Sequence, residues 1–551
     1  MNPALELVDL NVWFDPRSDR GGERSHTVRN LNLTVHAGER VGLVGESGCG
    51  KTTTILAAMG LLPPSATVAG EIRVDGTNVI SGGEESIVAH RWTDIAMVFQ
   101  GAMSAFNPVK TIGWQIQEVL AFHNIARGAS AITRSRELLE LVGLPADVAQ
   151  RFPHQLSGGM KQRAVIAMAL SCNPKVLLAD EPTTALDVVV QSQVLDLLVR
   201  LSGELGLALV LVTHDLGVVA HACTRAAVMC SGQIVEEATV SDLYHRPSHP
   251  YTRQLFAATP DIADVRPGES KRTERANLLA VSDLQVSFGD GRRPWFKRGS
   301  SETQNRASQA VAGVSLEVQE GELVALVGQS GCGKTTTIQA ILGMQPVQGG
   351  SILIDGVQVA GISSRMWRPL RRHVQMIYQD PYESLDSRLR VEQTVAEPLH
   401  IHRIGRNRRE RRALVAEALR EVGLDPDVVA ERYPHELSGG QRQRVAIAAS
   451  LVLRPRLLLA DEPVSMLDVS VRSGVLELLD RLRREHRMGI LMITHDLSTA
   501  VAHADRIIVM RAGRIAEVGQ PWSIVNESAD PYTRVLLASV PALDPDQHRA
   551  S

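Results

Sequence analysis

Short apolar runs recur along the chain, and the same succession of runs occurs twice. Alternating apolar and polar positions over Leu10–Phe14 and Leu284–Phe288 predict half-buried strands. Continuous apolar runs at Val41–Val44 and Val324–Val327 each predict a buried strand that leads into a glycine-rich segment. The two halves of the chain therefore begin with the same predicted elements.

Two more pairs of apolar runs predict the centre of a parallel sheet. Val176–Ala179 and Leu457–Ala460 are apolar throughout, which is typical of strands covered on both faces. Leu207–Val212 and Gly489–Ile493 are further apolar strands. Because ligands bind at the carboxyl ends of parallel strands, the polar residues that follow these runs are candidate site residues.

Repeated motifs show that the chain is a tandem duplication. The segment Gly45–Thr52 (GESGCGKT) recurs as Gly328–Thr335 (GQSGCGKT). Four further motifs recur at one constant spacing: LSGG at 156 and 437, ADEP at 179 and 460, THDL at 213 and 494, and PYTR at 250 and 531. A set of motifs repeated in one order indicates two copies of one domain. We call them copy one and copy two.

Each glycine-rich segment matches G-x-x-x-x-G-K-T, the pattern of a phosphate-binding loop, or P-loop. A strand is predicted before it and a helix after it, over 52–59 and 335–342, which is the context that the motif requires. Backbone N–H groups of such a loop wrap phosphates, its lysine reaches the terminal phosphates and its threonine binds Mg²⁺. The candidate phosphate-binding residues are Gly45, Ser47, Gly48, Gly50, Lys51, Thr52, Thr53, Gly328, Ser330, Gly331, Gly333, Lys334, Thr335 and Thr336.

Paired acidic residues follow two of the predicted central strands. Asp180 and Asp461 are expected to hold the hydrated Mg²⁺ ion. Their neighbours, Glu181 and Glu462, are expected to project to the other side of the strand. From there they can orient and polarise the attacking water, since phosphoryl transfer depends on positioning and charge stabilisation.

A histidine follows a further apolar strand in each copy. His214 follows Asp180 at the same spacing along the chain as His495 follows Asp461. An isolated histidine is more often structural, but the equal spacing favours a functional role. Both histidines are predicted to contact the γ-phosphate.

Composition excludes several other classes of protein. The 551 residues carry 58 basic and 61 acidic side chains, so the net charge is −3. A nucleic-acid-binding protein is expected to be more basic than this. The five cysteines form no CxxC pair, so a zinc ribbon and a disulfide framework are not expected, and a reducing cytosol fits best. The first twenty residues show no secretory signal. The longest apolar runs have about eight residues, fewer than the roughly 20 that a membrane-spanning helix needs.

The LSGG motifs and the residues that follow them carry a family resemblance. LSGG continues as MKQR over 160–163 and as QRQR over 441–444, and both resemble the signature of the ABC ATPases. The resemblance implies an α/β fold with two tandem ABC-type nucleotide-binding domains. Each domain would have a RecA-like parallel-sheet core, an antiparallel β subdomain and an α-helical signature subdomain. The resemblance covers nearly the whole chain.

The resemblance also implies roles for further residues. The signature residues Ser157, Gly158, Gly159, Ser438, Gly439 and Gly440 would bind ATP. Gln100 and Gln379 match the Q-loop glutamine, with a catalytic and a metal-binding role, and Asp187 and Asp468 match the D-loop aspartate. Phe14 and Phe288 are the most plausible aromatic residues to stack on adenine, with Trp13 as a competing choice in copy one.

Within that family, the segments after the Q-loop glutamines narrow the function. QGAMSAFNPV over 100–109, QDPYESLDSRL over 379–389 and the two PYTR segments resemble the ATP-binding subunits of dipeptide, oligopeptide and nickel importers. Copy one resembles the D-type subunit and copy two the F-type subunit. The chain departs from the family at Gly101-Ala102, where Asp-Pro is usual, and at Met466 in the second D-loop. Neither departure removes a group that contacts phosphate or activates water.

The resemblance implies how such a protein works. Two halves would close head to tail on two ATP molecules, with Lys51 facing Ser438 and Lys334 facing Ser157. Its partners would be two transmembrane permease subunits and an extracytoplasmic substrate-binding protein, without nucleic acid. The chain would lie peripherally on the cytoplasmic face of the cell membrane. A dipeptide or short oligopeptide is the expected substrate, with nickel chelates or glutathione as alternatives.

Three other functions are weighed against this interpretation. A soluble twin ATPase acting on ribosomes or DNA usually carries a long charged helical insert or cysteine zinc modules, and this chain has neither. A non-hydrolysing scaffold would lack a lysine, glutamate or histidine in one copy, and none is missing. A monosaccharide importer would be expected to have one degenerate site and no PYTR segments.

The domain bounds follow from the polar segment between the copies. Residues 259–277 contain Pro260, Pro267 and Gly268 and no hydrophobic period, so they are predicted as a linker between domains over 1–258 and 278–551. A second polar segment, over 289–308, carries several arginines and is interpreted first as a solvated loop, with contact to anionic lipid headgroups as the alternative.

Overall fold

A computed structural model describes residues 2–15, 24–101, 105–184, 186–267, 275–288, 308–380, 384–465 and 467–546. These residues form two compact units, Met1–Thr259 with Ser539–Ser551, and Pro260–Ala538. Three features named above lie outside the described residues: the arginine-rich segment over 289–307, Ala102 and Met466.

The first unit contains two sheets. Its strands are β1 (Leu5–Phe14), β2 (Ser25–Val35), β3 (Arg40–Val44), β4 (Ala66–Val74), β5 (Thr77–Asn78), β6 (Ile95–Val98), β7 (Val176–Asp180), β8 (Ala208–Thr213), β9 (Arg225–Cys230) and β10 (Gln233–Thr239). One sheet has the order β2-β1-β4-β5 and is antiparallel. The other has the order β10-β9-β3-β8-β7-β6 and is parallel except for the pair β9 and β10.

The first unit also contains α-helices and 3-10 helices. The α-helices within the described residues are Lys51–Ala58, Gly83–His90, Ile112–Phe122, Ala129–Leu141, Gly158–Ala169, Val188–Leu205, Leu216–Ala222, Val240–His245 and Pro250–Ala257. Short 3-10 helices lie at Ala146–Gln150 and Pro153–Gln155. The helices Ile112–Phe122, Ala129–Leu141 and Gly158–Ala169 pack against one another and form an α-helical layer.

The second unit repeats this plan. Its strands are β11 (Asn277–Phe288), β12 (Ser308–Gln319), β13 (Leu323–Val327), β14 (Gly349–Ile354), β15 (Val357–Gln358), β16 (Val374–Ile377), β17 (Leu457–Asp461), β18 (Gly489–Thr494), β19 (Arg506–Arg511) and β20 (Arg514–Gly519). The antiparallel sheet has the order β12-β11-β14-β15, and the mainly parallel sheet has the order β16-β17-β18-β13-β19-β20. The unit's α-helices are Lys334–Ile341, Ser364–Leu370, Val391–Ile401, Arg408–Glu421, Pro426–Val429, Gly439–Leu451, Val469–His486, Leu497–His503, Pro521–Glu527 and Pro531–Ala538, with 3-10 helices at Ile262–Asp264 and Pro434–Glu436.

One buried core cluster of each unit lies between the antiparallel and the parallel sheet. In the first unit, Leu10 and Ile72 of the antiparallel sheet belong to the same buried cluster as Leu43 and Leu178 of the parallel sheet. The second unit has an equivalent cluster. The apolar runs of the sequence thus became buried strands, and the predicted α/β fold with parallel-sheet, antiparallel and helical parts is confirmed.

The strand register brings distant segments to one edge of the parallel sheet. Val44 at the end of β3 pairs with Thr213 at the end of β8, and Asp180 at the end of β7 pairs with Val212. Because parallel strands end at the same edge, the loops that begin at residues 45, 181 and 214 meet there. The second unit shows the same register, with Val327 opposite Thr494 and Asp461 opposite Ile493.

The last described residues of the chain belong to the first unit. A Cβ atom placed on Gly217 would lie 2.9 Å from the backbone oxygen of Pro541. The Nε2 atom of His245 lies 3.2 Å from the Oδ2 atom of Asp546. The segment that follows the helix Pro531–Ala538 therefore packs on residues of copy one.

Within the described ranges, no helix combines the length and the apolar character needed to cross a membrane.

Candidate active site

The P-loop of each copy links the central strand to the helix that follows it. Lys51 is buried, and its Nζ atom donates hydrogen bonds to the backbone oxygens of Gly45 at 2.7 Å and Glu46 at 2.8 Å. In copy two, Lys334 Nζ donates to the backbone oxygens of Gly328 at 2.6 Å and Gln329 at 2.9 Å. Each lysine is thus held by the first two residues of its own loop.

Two glycines of the loop have a conformation that a side chain would not allow. Gly45 has a φ of 154°, and a Cβ atom there would lie 2.2 Å from the backbone oxygen of Met229. Gly50 has a φ of 105° and is the N-cap of the helix Lys51–Ala58. Such a glycine-rich turn directs backbone N–H groups at one point in front of the helix, which suits an anionic phosphate group.

A threonine hydroxyl and an aspartate carboxylate meet beside this loop. Thr52 Oγ1 donates to Asp180 Oδ1 at 3.2 Å, and Thr335 Oγ1 lies 3.4 Å from Asp461 Oδ1. Burial raises the pKa of Asp180 to about 6, against the hydrogen bond from Thr52, and burial also raises the pKa of Asp461. Hydroxyl and carboxylate oxygens are hard donors of the kind that Mg²⁺ takes. The two pairs therefore fit the predicted metal site.

The glutamate after each aspartate is the centre of a hydrogen-bonded cluster. Glu181 Oε1 lies 2.8 Å from His214 Nδ1, and Glu181 Oε2 accepts hydrogen bonds from Gln100 Nε2 at 2.6 Å and Thr184 Oγ1 at 3.0 Å. Three of the predicted catalytic residues of copy one are thus in direct contact, although they come from three different loops.

Copy two brings the equivalent histidine and glutamine to its glutamate. Glu462 Oε2 lies 3.1 Å from His495 Nδ1 and accepts a hydrogen bond from Gln379 Nε2 at 2.8 Å. The structure brings Gln100 and Gln379 to the glutamates. Their predicted role as Mg²⁺ ligands stays a prediction.

A turn, and not the pleat of the strand, sets the direction of both glutamates. Glu181 and Glu462 lie just beyond β7 and β17 and have positive φ angles of 44° and 47°. Their N–H groups still donate to the neighbouring strand, Glu181 to Val212 O and Glu462 to Ile493 O. Strand alternation does not predict this left-handed conformation, which is strained for a residue with a side chain.

In each copy, the histidine stabilises the ionised form of the glutamate. Burial alone would raise the pKa of Glu181, but the hydrogen bond and charge of His214 lower it below the usual value. The pKa of Glu462 is lowered against burial in the same way by His495. Burial would lower the pKa of His495, but its bond to Glu462 raises it. Each glutamate is therefore held as a carboxylate, which can accept a proton or a hydrogen bond.

The signature segments form helix N-termini in the helical layer. Ser157 Oγ caps the helix Gly158–Ala169 by accepting from Met160 N at 3.3 Å. Ser438 Oγ caps the helix Gly439–Leu451 by accepting from Gln441 N at 3.3 Å. Such N-termini attract anions, which suits the predicted contact with phosphate.

The second signature glycine is needed for close packing between helices. A Cβ atom on Gly440 would lie 2.5 Å from Val471 Cγ1, whereas one on Gly439 has nothing within 4 Å. Copy one has the same crowding between Gly159 and Val190, at 2.4 Å. The helix that Asp187 caps through Val190 N carries this valine, so the signature and D-loop segments are packed together.

Gly440→Ala is expected to lower the free energy of unfolding by about 1–3 kcal/mol, because the added methyl group overpacks the contact with Val471. The neighbouring Gly439→Ala, which adds the same group in open space, is the matched control and leaves stability unchanged or slightly higher. Urea denaturation without nucleotide measures both. Restored stability in Gly440→Ala with Val471→Ala identifies the crowded contact, and equal loss in both glycine variants contradicts it.

The candidate adenine-stacking residues lie at the ends of the first strands. Phe14 ends β1 and is half-buried against the core cluster, and Phe288 ends β11 with 46% of its surface exposed. Trp13 stacks on His26 with ring centroids 4.6 Å apart. Because Trp13 already has a stacking partner, Phe14 remains the preferred candidate in copy one.

Comparison with known proteins identifies the family of these sites. Residues 28–184 and 311–465 match the ABC transporter family. The two matches together cover more than half of the chain. The chain belongs to the ABC transporter family. The predictions of two tandem ABC ATPase domains and of an ATP-hydrolysing enzyme are thereby confirmed, and such domains bind ATP.

A second family match and full-length relatives narrow the assignment. Residues 235–283 and 516–551 match the oligopeptide/dipeptide transporter C-terminal region. The chain is 39% identical to the glutathione import ATP-binding protein GsiA of Pectobacterium atrosepticum, across 99% of this chain and 91% of that protein. The proteins of that name from Salmonella paratyphi A and Escherichia coli O157:H7 are 41% and 40% identical, with the same coverage. The ABC transporter ATPase thus belongs to the importers of the peptide and nickel type.

Sequence reasoning did not foresee one contact of the P-loop. The tyrosines of the two PYTR segments, Tyr251 and Tyr532, each accept a hydrogen bond from the second residue of the loop at 3.1 Å. In the sequence, these segments are recognisable only as repeats and as a feature of the importer ATPases that the chain resembles. The available signal was that the two PYTR segments keep the same spacing between the copies as the catalytic motifs.

Proposed function

We propose that this ATPase energises import of dipeptides or short oligopeptides, together with two separate permease subunits and an extracytoplasmic substrate-binding protein. The observation that carries the proposal is that both copies have a complete cluster of P-loop lysine, aspartate, glutamate, glutamine and histidine. The match to the oligopeptide/dipeptide transporter C-terminal region supports a peptide substrate. The chain would act peripherally at the cytoplasmic face of the membrane, bound through the permeases.

We propose the following roles for the site residues. Lys51 and Lys334 bind the terminal phosphates of ATP, and the P-loop backbone and the signature serines and glycines bind phosphate oxygens. Glu181 and Glu462 orient and polarise the attacking water, with His214 and His495 contacting the γ-phosphate. Phe14 and Phe288 stack on adenine. The predicted domains, 1–258 and 278–551 with a linker over 259–277, would each carry one P-loop.

Metal binding is proposed at the threonine and aspartate pairs. Thr52 with Asp180, and Thr335 with Asp461, would hold Mg²⁺, and the amide oxygens of Gln100 and Gln379 would complete the protein ligands. Bound Mg²⁺ supplies charge neutralisation at the phosphate oxygens. The buried carboxylates support this, because a buried anion without a cation nearby is costly.

Glutathione is the peptide that we propose to test first. It is a tripeptide and so falls within the proposed substrate class. The relatives whose name includes glutathione import share 39–41% of their residues with this chain and match it over 91% of their length. Nickel chelates remain an alternative within the same family of importers. The ATPase does not contact the substrate in this scheme, so the assignment depends on the whole transporter.

Deleting the gene for this chain from its host is expected to lower the uptake of radiolabelled glutathione or dipeptide, because the permease then lacks its ATPase. The wild-type gene restores uptake, and the variant Glu181→Gln with Glu462→Gln does not. Competition by unlabelled glutathione, a dipeptide or a nickel chelate then ranks the substrates. Unchanged uptake of labelled glutathione, labelled dipeptide and labelled nickel chelate in the deletion strain would reject the importer proposal.

A further inference from the structure

A tyrosine hydroxyl contacts the P-loop in both copies, from a helix that lies outside the nucleotide-binding motifs. The N–H group of Glu46 donates to Tyr251 Oη at 3.1 Å, and the N–H group of Gln329 donates to Tyr532 Oη at 3.1 Å. The tyrosines are 205 and 203 residues away from their partners along the chain. The same bond therefore forms independently in two units.

The bonded peptide group also holds the P-loop lysine. The oxygen of the Gly45–Glu46 peptide accepts from Lys51 Nζ at 2.7 Å, while the N–H of that same peptide donates to Tyr251. A peptide group that donates at one end becomes a better acceptor at the other, because consecutive hydrogen bonds polarise one another. The Gly328–Gln329 peptide lies between Lys334 and Tyr532 in the same way.

The tyrosine of copy one is itself held at a defined place. Glu236 on β10 accepts hydrogen bonds from Ser248 N at 2.7 Å, Ser248 Oγ at 2.6 Å and His249 N at 3.0 Å. His249 then caps the helix Pro250–Ala257 by accepting from Tyr251 N at 3.2 Å. The start of the helix is thus fixed to the edge strand of the parallel sheet, next to β9, whose Met229 contacts the P-loop.

Copy two anchors its tyrosine with the equivalent glutamate. Glu517 on β20 accepts from Ser528 Oγ at 2.6 Å and from Ala529 N at 2.9 Å. Asp530 Oδ1 accepts from Tyr532 N at 2.8 Å. Arg511 adds a contact, since its guanidinium carbon lies 5.0 Å from the centre of the Tyr532 ring. Cys230 occupies the corresponding position in copy one.

We propose that Tyr251 and Tyr532 are positioning residues for ATP binding, which act through the first peptide of the P-loop on Lys51 and Lys334. The inference rests on the proposed role of these lysines in binding phosphate. Tyr251 and Tyr532 lie within the matched oligopeptide/dipeptide transporter C-terminal region, at residues 235–283 and 516–551. The tyrosine hydroxyls would therefore connect that region to the phosphate site through one hydrogen bond in each copy.

The hydroxyl is suited to this task over the whole physiological pH range. Burial raises the pKa of Tyr251 to about 12, so the group stays neutral and keeps both its proton and its acceptor lone pairs. Phenylalanine has the same ring and lacks only the oxygen. Tyr→Phe therefore tests the hydrogen bond with little change in packing.

The test measures binding of Mg²⁺-ATP to the full chain, one copy at a time. In a Lys334→Met background, which leaves copy one as the intact site, Tyr251→Phe is expected to raise the Kd for ATP about three- to tenfold, the effect of losing one hydrogen bond. In a Lys51→Met background, Tyr532→Phe is expected to do the same at the second site. Tyr244→Phe, on the neighbouring helix Val240–His245, is the control for loss of a tyrosine hydroxyl and leaves the Kd unchanged.

A double-mutant cycle separates positioning from a merely structural role. If Tyr251 acts through Lys51, Tyr251→Phe has no further effect on the residual ATP affinity once Lys51 is Met. A structural role instead lowers the urea midpoint of the chain without nucleotide and leaves the Kd unchanged. Equal fold-changes with and without Lys51 would also overturn the proposal.

The arginine of copy two supplies a second, independent test. Arg511→Cys, which recreates the residue of copy one, is expected to raise the Kd at the second site about twofold, because it removes the cation–π contact with Tyr532. If the Tyr532 hydroxyl transmits this effect, Arg511→Cys should leave the Kd unchanged in a Tyr532→Phe background. If Tyr251→Phe and Tyr532→Phe do not change the Kd while Lys51→Met and Lys334→Met weaken binding, the positioning role is wrong and the proposed function stands. If the lysine variants also bind normally, the proposed function is wrong.

Discussion

Replacing both Glu181 and Glu462 with glutamine lowers ATP turnover by about 10²–10⁴-fold, the range for loss of a positioned acid–base group. Glutamine keeps the shape of the side chain and one acceptor oxygen, but it cannot hold a negative charge toward the attacking water. ATP binding is retained, because the P-loop lysines and the threonine–aspartate pairs are unchanged. Phosphate release by the assembled complex with its permeases, compared with ATP binding in the same preparation, measures the two effects separately.

A matched pair of exposed glutamates controls for the loss of two charges. Glu137 pairs with Arg134 and Glu417 pairs with Arg454, and the two glutamate side chains are about half-exposed. Glu137→Gln with Glu417→Gln is expected to leave turnover within about twofold, since exposed ion pairs contribute little. Turnover that survives the change at 181 and 462 would reject these residues as the water-positioning groups. Loss of ATP binding in that variant would instead indicate a role in holding nucleotide.

Replacing both P-loop lysines with methionine weakens ATP binding by about 10- to 100-fold, the effect of losing a charge-assisted hydrogen bond to phosphate. Methionine keeps an unbranched side chain in the buried position of Lys51 and Lys334, so the main loss is the ammonium group. Isothermal titration with Mg²⁺-ATP gives the affinity, and circular dichroism with urea denaturation shows whether the variant is folded.

Lys175→Met is the control for removal of an ammonium group. Lys175 Nζ bonds Asp75 Oδ2 at 2.6 Å in an exposed ion pair away from the P-loop. Its replacement is expected to leave ATP affinity unchanged. Equal weakening in Lys175→Met and Lys51→Met would mean that general charge, and not the loop, attracts the nucleotide.

The residues that could be predicted from sequence are those whose role follows from local pattern. The P-loop lies between an apolar strand and a helix, and Asp180 follows an apolar run, so strand ends and loop chemistry are visible in a few consecutive letters. Because the chain is duplicated, each of these sequence patterns occurs twice. This is why the ends of β3, β7 and β8, and the polar residues beyond them, were placed correctly in the fold.

The contacts that could not be predicted depend on three-dimensional register. Gln100 is 81 residues from Glu181, and His214 is 33 residues from it, so their hydrogen bonds require the order β8-β7-β6 in the sheet. The left-handed turn at Glu181 and the bond of Tyr251 to the P-loop have no local sequence pattern. The tight contact of Gly440 with Val471 depends on how two helices cross.

The return of the last residues to the first unit bears on how the gene can be divided. A gene split between the copies would give a first polypeptide without Pro541 and Asp546, which contact Gly217 and His245 in this structure. The first unit therefore includes residues that follow the motifs of copy two along the chain. Loss of residues 541–546 would remove these two contacts of the first unit, although every nucleotide-binding motif of both copies would remain in the chain.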